Sequence, residues 1–337
     1  MITCRTSSAK ILVEPDSGIK LPNPYGCIQG GVLTVEPWEI FAAIVTCGCV
    51  QMDYLPQKLH SKIEEIIFKR ALVDYALKED NGYVVWDEKN LSELDETERN
   101  FVSYYVGMIF ANLVARKIYE IDFLCHFKKF MDRTNSVKIR NGKALKANQT
   151  EPDFVGIKYN QMVVEFFIFE AKGGKNKTLA NYNKAMNKQL TAVGTIIGHK
   201  PKGRILCYTI CSKKGNPGVA NNLLKVIVAK TAKISPKAYD IENSVSNVNG
   251  LFRSEMMQLS EEMGAMINKS KEKKVYVKDF GKFYQEADGN TIVWVINYSE
   301  HDAIEIRFNN GDDIQIIRYK KMVEIVTSEE KMTIERK

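Results

Sequence analysis

Pro152–Asp153 and, seventeen residues after the Asp, Glu170–Ala171–Lys172 are the residues of this 337-residue chain best suited to chemistry. Two carboxylates and a carbonyl are hard oxygen donors. They suit Mg²⁺, with Mn²⁺ as a substitute, because such an ion keeps several waters and takes up phosphate oxygens as well. A bound ion of this kind polarises a phosphoryl group and makes a nucleophile of water. A lysine beside it could orient or deprotonate that water, or stabilise charge on the phosphorane oxygens. An acidic-x-Lys triplet alone means little. The chain has five, at Asp87–Lys89, Glu170–Lys172, Glu272–Lys274, Glu329–Lys331 and Glu335–Lys337. Only the one at 170 closes an apolar run and follows a Pro-Asp.

The apolar patterns explain how these residues could meet. Phe154–Tyr159 and Met162–Phe169 read as strands joined by a turn at Asn160–Gln161. If they pair antiparallel, the start of the first lies beside the end of the second, and Asp153 meets Glu170. Side chains alternate along a strand, so Glu170 and Lys172 share a face. Ala171 points the other way and leaves its carbonyl at the strand end. Glu165 is an odd step from Glu170, which assigns it to the opposite face and an ordinary structural role. His126, between Cys125 and Phe127, reads as a surface histidine.

Around this pair, helices are expected over Pro56–Lys78, Glu96–Tyr119, Thr178–Ile197, Val219–Ala232 and Phe252–Ile267. The acidic residues before and within the first turn at 96 suit a helix N-terminus. Strands are expected over Val84–Trp86, Ile121–Phe130 and Arg204–Cys211. Met131–Thr150 reads as a loop, and Gly173–Gly174 as a strand break. Residues 1–35 read as irregular or short-strand structure. The tail from Val275 is strand-rich, with Thr291–Tyr298, Ala303–Phe308 and a turn at Asn309–Gly311 into Ile314–Tyr319.

On these residues the chain resembles the PD-(D/E)XK, or restriction-endonuclease-like, nuclease superfamily. The resemblance spans about residues 96–214. It implies an α/β fold: a mixed central sheet flanked by helices in the order helix, three strands, helix, strand. The expected frame is an N-terminal, mostly helical extension (1–95), this core (96–233) and a strand-rich C-terminal α+β part (234–337). By the same resemblance Asp153, Glu170 and the Ala171 carbonyl would hold the metal, and Lys172 would be the catalytic lysine. Gln189 would supply the polar residue of the following helix, although the Tyr that some members place four residues later is Val193 here. Glu98 is the one candidate for an extra acid from the first helix. The implied activity is Mg²⁺-dependent phosphodiester hydrolysis by an endonuclease, with DNA ahead of RNA, in antiviral defence or on a mobile element. Two alternatives remain: a nucleic-acid-binding subunit with a dormant nuclease-like core, and an RNA-processing nuclease.

Charge fits a polyanionic partner. The net charge is +7, but residues 116–214 carry 20 basic and 7 acidic side chains, while residues 1–95 carry 9 and 14. Lys143 and Lys146 before the motif, and Lys175, Lys177 and Lys188 after it, are the expected phosphate contacts. Lys138, Arg140 and Lys184 flank the same region. Seven cysteines without a CxxC read as free thiols, which favours a reducing cytoplasm. No run reaches the roughly 18–20 apolar residues of a membrane span, and the first residues lack the apolar core of a signal peptide. The long flanks leave room for a protein partner or self-association.

Overall fold

The computed structural model describes residues 8–16, 19–22, 28–48, 59–145, 149–160, 163–212, 222–243, 275–277, 281–285, 292–297, 303–308 and 314–319. It is a mixed α/β structure. In chain order its elements are β1 (Ala9–Pro15), β2 (Ile28–Gln29), β3 (Val32–Val35), α1 (Pro37–Thr46), α2 (Leu59–Ala76), β4 (Leu77–Asp80), β5 (Tyr83–Trp86), α3 (Glu88–Ser92) and α4 (Glu96–Tyr119). Then follow β6 (Phe123–His126), α5 (Phe127–Arg133), β7 (Ser136–Arg140), β8 (Lys143–Ala144), β9 (Phe154–Asn160), β10 (Val163–Gly174) and α6 (Leu179–Lys184). A π-helical turn, Ala185–Gln189, extends α6. β11 (Val193–Ile196), β12 (Gly203–Ser212), β13 (Leu223–Lys230) and β14 (Tyr239–Asn243) complete the larger of two compact units. The smaller unit holds β15 (Val275–Val277), β16 (Gly281–Gln285), β17 (Ile292–Asn297), β18 (Ala303–Phe308) and β19 (Ile314–Tyr319), an antiparallel meander.

The larger unit is built on one mixed sheet in the order β2-β3-β1-β5-β13-β12-β10-β9-β6, with β4 on β5 and an added β1–β13 pairing. β6, β9 and β10 run alternately. β12 returns parallel to β10 after the α6 crossover, and β13 is antiparallel to β12. A second sheet, β11-β14-β7-β8, is smaller.

α4 is the helix the site depends on. Asp95 and Glu98 close its N-terminus in a capping box, each side chain taking the other's backbone N–H. Its apolar stripe, including Val102, Val106, Ile109 and Leu113, joins Phe169, Ala171, Ile205 and Cys207 in one core cluster. Burial of such side chains contributes roughly 1.5–3 kcal/mol each. The helix approaches β10 closely because two glycines face each other. A Cβ on Gly107 would lie 2.8 Å from Gly173 N, and one on Gly173 would lie 1.7 Å from Ser103 O.

Several expectations are corrected. The helix expected over Val219–Ala232 is not formed in the described residues 222–232. Leu223–Lys230 is a strand inside the central sheet, as its β-branched Val226-Ile227-Val228 run permits. The helix expected to reach Ile197 ends in the π turn, and Val193–Ile196 is β11. The strand expected over Ile121–Phe130 stops at His126, where α5 begins. The expected loop 131–150 contains the β7–β8 hairpin, turned by Asn141 and Gly142, both at positive φ. Gly173–Gly174 does not break β10 but ends it. The N-terminal part is less helical than expected, since β1, β3 and β5 lie in the same sheet as the core strands. α4, β18 and β19 have the expected bounds. The helix expected over 252–267 lies outside the described residues.

Candidate active site

β9 and β10 pair antiparallel with Phe154 opposite Phe169, which sets Asp153 against Glu170 at the sheet's end. The two carboxylates latch the two strands reciprocally. Asp153 N–H donates to Glu170 Oε2 at 3.0 Å, and Ala171 N–H donates to Asp153 Oδ2 at 2.9 Å. Lys172 forms an ion pair with Glu170 Oε1, and its Nζ lies 3.8 Å from Asp153 Oδ2. The Glu170 side chain is 0 % exposed, while those of Asp153 and Lys172 are 19 % and 22 % exposed.

Burial is the larger reason, and Asp153 the next, that the Glu170 carboxyl is pushed from 4.5 up to about 8. Lys172 pulls it back without cancelling the rise. Burial also lowers Lys172, but the carboxylates of Glu170 and Asp153 outweigh it and leave the ammonium's pKa raised. The turn after β10 is fixed by Tyr208, the neighbour of Lys172 in register. Its hydroxyl accepts from Thr178 N at 3.2 Å and donates to Asn176 O at 3.4 Å.

The structure thus brings together Asp153, Glu170, Ala171 and Lys172. It does not link the other expected residues to them. Gln189 ends the π turn, where its Oε1 is buried without a partner. Glu98 is occupied by the capping box. Lys143 and Lys188 are exposed, Lys175 is exposed and reaches Glu88 at 4.0 Å, and Lys146 lies outside the described residues. Lys177 is drawn to Asp16 at 3.5 Å and sits 3.8 Å over the Tyr182 ring, whose hydroxyl also bonds Asp16. Lys138 pairs with Glu151 and lies over the rings of Phe127 and Tyr239. Glu165 pairs with Lys202 at 3.3 Å.

His126 is half-buried rather than freely exposed. Its ring stacks on Phe154 at 4.8 Å and lies where a Cβ on Gly48 would have to go. Burial chiefly, with Lys129 and Lys69 next, lowers its pKa to about 4, while Asp153 acts in the opposite direction. Tyr104, on α4, escaped the sequence reading. Burial and the Asp153 charge, with Glu170 among the smaller causes, raise its hydroxyl to about 12, which places it within electrostatic reach of the carboxylates. The signal was present as an aromatic cluster, Phe101, Tyr104 and Tyr105, on one helical face.

Among the described residues no three His, Cys, Asp or Glu side chains cluster as a metal-binding group. The donor set is two carboxylates and one peptide carbonyl, which fits an ion that fills its remaining positions with water. Also among the described residues, no helix is long and apolar enough to cross a membrane. No protein-family model, curated protein or solved structure matches the chain.

Proposed function

We propose that the chain is a metal-dependent nuclease that hydrolyses phosphodiester bonds, with DNA ahead of RNA as substrate. The observation that carries this is the reciprocal latch of Asp153 and Glu170, with Lys172 against both. The order α4, β6, β9, β10, α6, β12, with α5 and the β7–β8 hairpin inserted after β6 and β11 inserted before β12, is compatible with the core order the resemblance implies. Asp153 and Glu170 would hold Mg²⁺ together with the Ala171 carbonyl. The ion would polarise the scissile phosphoryl group and lower the pKa of a bound water. The chain's own part is positioning. The Ala171 N–H fixes the Asp153 carboxylate, and the Asp153 N–H fixes Glu170. Lys172, with its raised pKa, stays an ammonium and serves as a charge and hydrogen-bond donor to phosphate oxygens. We assign the antiviral or mobile-element setting on the family resemblance alone.

A second reading has its own support. Glu170 is fully buried, and both its oxygens have partners within the chain. A dormant core that opens when a partner or substrate draws Lys172 away would look the same. Plasmid, linear and single-stranded DNA and RNA, each with Mg²⁺ or a chelator, separate the two. Cleavage that needs the metal and is lost in Asp153→Ala, Glu170→Ala and Lys172→Ala supports the enzyme. Binding without cleavage under every metal supports the dormant subunit.

A further inference from the structure

α4 carries a second feature at the end of the sheet that holds the carboxylates. Phe68 of α2 and Phe101 and Tyr104 of α4 are 47 %, 43 % and 43 % exposed. With Tyr105 they form one continuous group of rings. The centroids lie 6.0 Å apart for Phe68–Phe101, 6.1 Å for Phe68–Tyr105, 4.8 Å for Phe101–Tyr105 and 5.8 Å for Tyr104–Tyr105. Rings left in water at such density are costly unless something covers them. The group's place in the fold is fixed by backbone: Ser103, next to Tyr104, has its carbonyl packed on Gly173, next to Lys172.

The charges around the rings narrow the occupant. Asp95, Glu96 and Glu98 open α4 one turn before Phe101, so this face does not attract phosphates. The chain's basic excess lies in 116–214, which holds 20 of its 48 basic side chains against 7 acidic ones, although Arg99 stands on α4 two residues before Phe101. A ligand that suits both must show flat, uncharged faces to the rings and phosphates to the lysines. A duplex hides its base faces, but a single strand offers them. We propose that Phe68, Phe101, Tyr104 and Tyr105 form a base-stacking platform, so that the site takes single-stranded nucleic acid. This rests on the nuclease reading for its location but not for its test.

Binding is measured by fluorescence anisotropy on the full chain, in chelator and at one fixed salt concentration. The probes are labelled oligothymidylate and oligouridylate of about 20 nucleotides and a duplex of equal length. The single strands should bind at least about tenfold more tightly than the duplex. Phe101→Ser with Tyr104→Ser should weaken single-strand binding by about tenfold or more, since stacking is worth ~1–3 kcal/mol per base. Duplex binding should not change. Phe101→Tyr, which keeps a ring, should bind like the unsubstituted chain. Val163→Ala, at the exposed far end of β10, should do so too. The oligothymidylate and oligouridylate arms show whether DNA or RNA is preferred. Equal or tighter duplex binding, no binding of any oligonucleotide, or unchanged affinity after the rings are removed would overturn the proposal. Cleavage with Mg²⁺ is scored separately through Asp153→Ala, so a failed platform and a failed nuclease give different results.

Discussion

The two ends of the β9–β10 pair carry the same residue types in opposite states. At the far end Lys158 meets Glu120 at 2.7 Å and Glu165 meets Lys202 at 3.3 Å. Each acid there has its own base, the Lys202 side chain is well exposed and both partners of Lys158–Glu120 are partly exposed, and such pairs are worth ~1 kcal/mol or less. At the near end two carboxylates share one ammonium, and Glu170 is fully buried. A carboxylate placed there is costly, and burial pushes its pKa to about 8. Acid and lysine at a strand end are therefore not the signal. The signal is an excess of acid held out of water, an arrangement that stability alone does not favour and that a cation would relieve.

The largest contrast between the ends should be in turnover. Asp153→Ala, Glu170→Gln or Lys172→Ala should lower Mg²⁺-dependent cleavage by about 10²–10³-fold or more. Glu165→Gln should stay within about twofold, as read by initial rates on linear DNA.

Next comes packing. Gly173→Ala pushes a Cβ against the Ser103 carbonyl and should cost about 3 kcal/mol in denaturant unfolding. At the far end, the nearest obstacle to Gly203→Ala is the tip of the Ile205 side chain, at 2.8 Å, which can move. That substitution should cost about 1 kcal/mol. Charge removal should follow the same asymmetry. Lys172→Ala leaves two acids together and should cost about 2 kcal/mol without metal. Lys202→Ala should cost less than about 1 kcal/mol.

The ends should also differ in pH dependence, because the Glu170 shift remains large even with Lys172 beside it. The folded-state pKa of Glu170 is raised, so its contribution is full below about 4.5 and is lost as pH rises through about 8. The lowered pKa of His126 works the other way. Its contribution is present above about 6.5 and is lost as pH falls through about 4. Thermal midpoints in chelator should therefore decline from pH 6.5 to 8.5, and Glu170→Gln should flatten that decline. An equal decline in the variant would remove Glu170 as its source.

The near end was legible because strand alternation is a strict rule. Once Phe154–Tyr159 and Val163–Phe169 pair, Asp153 and Glu170 have nowhere else to go. α4 was legible from its acidic start, which the capping box of Asp95 and Glu98 explains. β13 was not, because a short, continuously apolar run has no period to separate buried strand from buried helix. The Asn141–Gly142 turn was readable, but it lies in a basic stretch whose charge suggested a loop. His126 was misjudged because alternation gives a side, not a cover. The cover comes from Gly48, 78 residues earlier in the chain. Tyr104 needed the fold, since only the glycine contact of α4 with β10 brings it toward the carboxylates.

A divalent cation is expected to bind at the near end and not at the far end. Calorimetric titration of the full chain with Mn²⁺ tests it most directly. Binding should be present in the unsubstituted chain and in Glu165→Gln, and absent in Asp153→Ala and Glu170→Gln. Binding that persists in both near-end variants, or that disappears in Glu165→Gln, would contradict it.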